Sequence, residues 1–115
     1  MTCLFFAKSP TTHGFGVFST TAFLRGTVIE EYRVFPFSAP DYVMKDALSD
    51  YRLAWSQYED VMASGYACLY NHSDDPNVVL EYEKEQVLIR VRTLRDITCG
   101  EELFKRYACA PWWRP

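Results

Sequence analysis

The chain has 115 residues, enough for one domain and too few for a second core. Hydrophobic residues make up 49% and charged residues 23%, which excludes a disordered chain and fits a globular one. Twelve basic against fifteen acidic residues give a net charge of -3, so there is no basic footprint for a nucleic acid, and the acidity is too mild to identify a basic partner.

The predicted elements are short strands. Leu4 to Ala7 and Gly16 to Ser19 come first. Val28 to Phe35 alternates Val28, Glu30, Tyr32 and Val34 with Ile29, Glu31, Arg33 and Phe35, and its β-branched and aromatic content favours a strand. Tyr51 to Trp55 is another. One or two helical turns are expected around Tyr58 to Gly65, with Ser56 as the cap and Gly65 as the stop. Asn77 to Glu83 and Gln86 to Thr93 read as a hairpin joined at Glu83-Lys84-Glu85; Val87, Ile89 and Val91 take one face, Arg90 and Arg92 the other. Leu103 to Tyr107 closes the series. Seven short strands and little helix predict a mostly β fold of several small sheets.

No stretch reaches the roughly 18 apolar residues of a membrane helix, and Leu4 to Ala7 is too short and lacks the basic lead-in of a signal peptide. The expectation is a soluble, intracellular protein without membrane contact. Cys3, Cys68, Cys99 and Cys109 are scattered, with no Cys-x-x-Cys pair and only His13 and His72 beside them, which argues against a metal site. Reduced thiols acting as small buried apolar groups are expected in preference to two disulfides. The aromatic content of 17% is high; it suits either a ring-rich core or a groove lined with rings.

Three segments carry chemistry. His13-Gly14-Phe15-Gly16-Val17-Phe18 sets two glycines around an aromatic, which permits a turn or a close approach of backbone to a ligand. Asn71-His72-Ser73-Asp74-Asp75-Pro76-Asn77 is dense in turn formers, and a turn alone does not require His72 directly after the apolar Ala67 to Tyr70 run. Cys99-Gly100-Glu101-Glu102-Leu103-Phe104-Lys105-Arg106-Tyr107 reads as a turn feeding a strand with Tyr107 at its far end.

In this order and spacing the segments resemble the SET-domain protein-lysine methyltransferases, whose pattern runs Gly-x-Gly, Asn-His-Ser-x-x-Pro-Asn, Gly-Glu-Glu-Leu-x-x-x-Tyr. The resemblance extends from Gly14 to Trp113, and the size is most similar to the short stand-alone viral members. It implies a single SET domain over residues 1–115, with a knot-like threading of the C-terminal strand, and transfer of a methyl group from S-adenosylmethionine to a lysine amine in a protein, a histone H3 tail being the leading candidate. Residues 108–115 then form an aromatic tail in place of a cysteine-rich closing segment. The resemblance further implies that Tyr107 is catalytic and Tyr51 lines the lysine channel with it. Gly14, Phe15 and Gly16 follow the methionine end of the cofactor, Asn71 meets its amine, His72 its adenine through backbone, and Trp112 covers the adenine while Trp113 walls the channel. Three positions depart from the pattern: Ala108 replaces a glycine, Cys68-Leu69-Tyr70 replaces a segment that often holds an arginine, and Lys105 stands where an aromatic or branched aliphatic residue usually borders the channel. In a strand Leu103, Lys105 and Tyr107 share a face, so Lys105 either reaches the channel rim or snorkels to solvent. A catalytically inactive SET domain binding peptide or cofactor is the alternative that Lys105 raises. The chain is expected to act alone or as a homodimer, with acidic runs at Glu30-Glu31, Asp74-Asp75 and Glu81 to Glu85 available to a basic tail.

Overall fold

The computed structural model describes residues 3–12, 14–38, 53–56, 59–61 and 64–107. Among these residues it contains ten strands and no helix. β1 (Leu4–Lys8) pairs antiparallel with β2 (Phe15–Ser19), and β2 with β10 (Glu102–Lys105), which in turn runs parallel to β7 (Asn71–His72). β3 (Val28–Arg33) and β8 (Val78–Glu83) flank β9 (Leu88–Thr93) in a second antiparallel sheet. β4 (Phe37–Ser38), β5 (Leu53–Ala54) and β6 (Glu59–Val61) form the third, with β6 in the centre.

The β8–β9 hairpin follows from its alternation. Val91 and Ile89 are fully buried while Arg90 pairs outward with Glu31 and Arg92 with Glu81. Its connection is longer than the sequence indicates: Glu83 pairs with Leu88, and the four residues between them form the turn. Lys84 in that turn lies 3.9 Å over the Trp55 ring and donates to the Trp55 carbonyl, which ties the hairpin to the third sheet.

The expected helix around Tyr58 to Gly65 is absent from the described residues, and Glu59–Val61 is a strand instead. The backbone N–H groups of Trp55 and Ser56 both donate to the Glu59 carbonyl, and Ser56 Oγ donates to Glu59 Oε1. Ser56 therefore bonds across to Glu59 at the start of β6. A cap residue followed three positions later by Glu is a signature that turns and helix starts share. The predicted final strand also stops early, at Lys105, because Tyr107 N–H leaves the ladder for the His72 ring.

The core is aliphatic, built on Val17, Val61, Val78, Ile89, Val91, Ile97 and Leu103, with Tyr70 the largest fully buried side chain. Many rings lie at the surface: Phe5 stacks on Phe18 and Phe6 on Phe15 across β1 and β2, each pair at 5.3 Å. The cysteines correct the sequence expectation too. Cys99 is exposed, donating to the Thr20 carbonyl, and Cys3 and Cys68 are only half-buried, so none of the three is a core residue; Cys109 lies outside the described residues.

β10, the last described strand in the chain, occupies the decisive position between β2 and β7. Gly100, at φ 86° in the turn before it, takes a conformation that only glycine adopts without strain. Buried Asn77 then brackets the strand, with Oδ1 accepting from Phe104 N–H and Nδ2 donating to the Glu102 carbonyl and Glu101 Oε2.

Candidate active site

The parallel register sets Phe104 beside Asn71 and Lys105 beside His72, which brings the second and third sequence segments together. Immediately beyond β10, Tyr107 N–H donates to His72 Nδ1 at 2.9 Å. A backbone N–H can only donate, so Nδ1 is the unprotonated nitrogen, and Nε2–H donates to Asp74 Oδ1 at 2.9 Å. His72 is thereby a neutral imidazole held at both ends. Its ring centre lies 5.0 Å from that of Tyr107, so the tilted imidazole packs against the phenol.

The phenol hydroxyl of Tyr107 donates to the Tyr70 carbonyl at 3.3 Å. Two residues back, Lys105 is buried, and its Nζ donates to the Ala67 carbonyl at 2.7 Å, 5.6 Å from the Tyr107 ring centre. Burial lowers its pKa to about 8, opposed by the neighbouring Cys68. Segment 66–70, whose carbonyls receive both groups, is pinned by Glu30: its carboxylate accepts from Tyr70 Oη at 2.6 Å and from Tyr66 N–H at 2.8 Å. Burial raises the Glu30 pKa, and the two hydrogen bonds oppose it. Desolvation, with the Glu30 charge beside them, keeps the phenols of Tyr70 and Tyr32 protonated far above their ordinary value.

A second wall forms where β2 meets β10. The loop before β2 is closed by Ser9 N–H donating to the Gly14 carbonyl. Glu102 is buried behind it, accepting from Ser9 Oγ at 2.7 Å and from Asn71 Nδ2 at 2.9 Å. A Cβ on Gly16 would lie 2.3 Å from Glu102 Oε2 and 2.9 Å from Asn71 Nδ2, so any larger residue there would force these two side chains to shift. Around Gly14 there is open space, with nothing within 4 Å of a Cβ.

The SET domain family model matches residues 14–108. The chain belongs to the SET domain family. This SET domain is 31% identical over 103 residues to a Schizosaccharomyces pombe protein named as a histone-lysine N-methyltransferase specific for H3 lysine-37, covering 87% of this chain and 70% of that one. It resembles the structure of a candidate histone methyltransferase of Plasmodium falciparum, with a TM-score of 0.69, 24% identity and 99% of both chains covered. It also resembles a humanized mutant of the Chaetomium thermophilum Polycomb Repressive Complex 2 bound to the inhibitor GSK126, with a TM-score of 0.74 and 22% identity. That likeness covers 93% of this chain and 15% of the other. These solved structures establish the fold.

Of the site residues the SET pattern implies, Gly14, Phe15, Gly16, Asn71, His72, Lys105 and Tyr107 gather around the crossing of β2, β7 and β10. Tyr51, Trp112 and Trp113 lie outside the described residues. Lys105 does not snorkel to solvent. Three contributions were missed: the His72 ring acting on Tyr107, Glu30 behind Tyr70, and Glu102 behind Gly16. The acidic runs are largely occupied within the domain, since Glu30 faces Tyr70, Glu31 pairs with Arg90, Glu81 with Arg92 and Asp75 with Arg95. The wall of Asn71 and Glu102 suits a ligand with a cationic end, and the open side of Gly14 leaves room for one, so the residues fit S-adenosylmethionine, the family's cofactor.

Proposed function

We propose that this SET domain, a protein-lysine methyltransferase, modifies a lysine in a histone tail, with Tyr107 at the reacting centre. The reading is carried by Tyr107 itself: its backbone is fixed by His72 and its hydroxyl by the Tyr70 carbonyl, at the end of the strand that the Asn-His-Ser segment receives. S-adenosylmethionine, when bound, supplies a methyl group on a positive sulfonium. Gly14, Phe15, Gly16, Asn71 and His72 bind it in this reading, with Trp112 over the adenine; Tyr51 and Trp113 wall the lysine channel, and residues 108–115 close it.

The substrate amine must lose its proton before it can attack. With a free pKa near 10.4, that costs about 4.6 kcal/mol at pH 7. Desolvation between tyrosine rings lowers the amine's pKa, and so does a like charge nearby. Lys105, an ammonium beside Tyr107, adds that charge from the channel wall. The Tyr107 hydroxyl and the carbonyls of segment 66–70 are the polar atoms available to orient the amine. A histone tail agrees with the names of the relatives, and its modification implies a nuclear setting; no helix among the described residues is long and apolar enough to cross a membrane.

The test is incubation of the purified chain with S-adenosylmethionine and a lysine-scanned histone peptide array, with methyl number read by mass spectrometry. Methylation confined to peptides carrying one particular lysine supports the proposal. Cofactor binding without methylation of any peptide refutes it.

A further inference from the structure

Glu102 is a buried carboxylate, 8% exposed, at the start of β10. Oε1 accepts from Ser9 Oγ at 2.7 Å and, at 3.5 Å, from Thr11 Oγ1; Oε2 accepts from Asn71 Nδ2 at 2.9 Å. Every donor is neutral. Among the described residues no Lys, Arg or His stands within ion-pair distance of it. A buried charge is expensive unless a counter-charge accompanies it, and three neutral hydrogen bonds satisfy the lone pairs while leaving the charge itself uncompensated.

Asn71 shows where that charge is directed. The two Nδ2 hydrogens are shared among three acceptors: Glu102 Oε2, the Phe15 carbonyl at 3.0 Å and Thr12 Oγ1 at 3.3 Å. A flipped carboxamide would turn its oxygen toward the Glu102 carboxylate and the Phe15 carbonyl, two acceptors, so the orientation is determined. Oδ1 accepts no hydrogen bond from the described residues. Gly16, lacking a Cβ, is what lets both side chains lie against the β2 backbone.

The geometry points to Glu102 as the residue that readies this wall for a cation: it locks the Asn71 carboxamide with Oδ1 free, and its charge selects the α-ammonium of S-adenosylmethionine. The inference rests on the cofactor site proposed above and adds to it a positioning residue that acts through Asn71. Glu102 also sets polarity at the amino-acid end, because the same charge disfavours the cofactor's carboxylate at this point.

Calorimetry with S-adenosylhomocysteine, and with its analogue in which hydrogen replaces the α-ammonium, separates this role from a structural one. Wild type should bind the ammonium-bearing ligand about 10- to 100-fold more tightly, the range of a charge-assisted hydrogen bond. Glu102→Gln should lose most of that preference while binding the analogue within about threefold of wild type, because the removed interaction involves only the ammonium. Equal affinity of wild type for the two ligands overturns the inference, and this arm needs no variant to fold. So does Glu102→Gln that keeps the preference, or that weakens both ligands equally. Failure of wild type to bind S-adenosylhomocysteine at all would instead overturn the cofactor site.

Discussion

Lys105→Met should stabilise the domain at neutral pH, and the gain should vanish in base. In the folded chain burial depresses the Lys105 pKa to about 8, whereas an unfolded lysine titrates near 10.4. Keeping this amine protonated inside therefore costs about 3 kcal/mol below pH 8, at about 1.4 kcal/mol per pH unit of depression. Replacement by methionine removes that cost and fills similar volume, but it orphans the Ala67 carbonyl that Nζ reaches at 2.7 Å, a loss of about 1 kcal/mol. The net gain at pH 7 is about 2 kcal/mol. Between pH 8 and 10.5 the unfolded wild type holds more protons than the folded one, so wild-type stability rises through that window while methionine has no proton to lose. Urea unfolding of both proteins at pH 7 and pH 10 reads the difference directly, since the other titrating groups are shared. A gap near 2 kcal/mol at pH 7 that closes by pH 10 is the expected result. A variant less stable than wild type at pH 7, or a gap that does not change with pH, refutes the reasoning.

Gly16→Ala should destabilise the fold by about 1–3 kcal/mol, the range for overpacking, because its Cβ would meet Glu102 and Asn71; urea titration checks it, and calorimetry should show weaker cofactor binding. Asn77→Ala removes three hydrogen bonds at a buried site around β10, and a loss of about 2–4 kcal/mol in the same titration is expected. His72→Ala orphans the Tyr107 N–H; kcat should fall while KM for the peptide changes little, because the phenol loses its support and the peptide's other contacts do not.

The second sheet was legible in the sequence because β9 obeys a period of two: Ile89 and Val91 against Arg90 and Arg92 is a pattern that burial on one face imposes, whereas Val87, expected on the same face, belongs to the turn and has a positive φ of 55°. The two- and three-residue strands β4, β6 and β7 are too short to show any period, and Ser56 with Glu59 carried a signal common to helix starts and tight turns. At the site the motif spacing, through resemblance, singled out Tyr107, Asn71 and Gly16, which the fold brings close together around β10. Glu102 was hidden because the pair Glu101-Glu102 reads as a solvated turn; its burial becomes visible only when β10 is seen between β2 and β7. Lys105 was legible to the extent of its strand face, and the Ala67 carbonyl that decides its direction lies 38 residues away in the chain.

The most direct test of methyl transfer centred on Tyr107 compares wild type with Tyr107→Phe on a histone H3 peptide, measuring turnover by mass spectrometry and S-adenosylhomocysteine affinity by calorimetry on the same preparations. Only the hydroxyl that donates to the Tyr70 carbonyl is removed. A fall in turnover of about 100-fold or more, as for a group that acts on the reacting atoms, with cofactor affinity unchanged is the expected result. Wild-type turnover by Tyr107→Phe would contradict it.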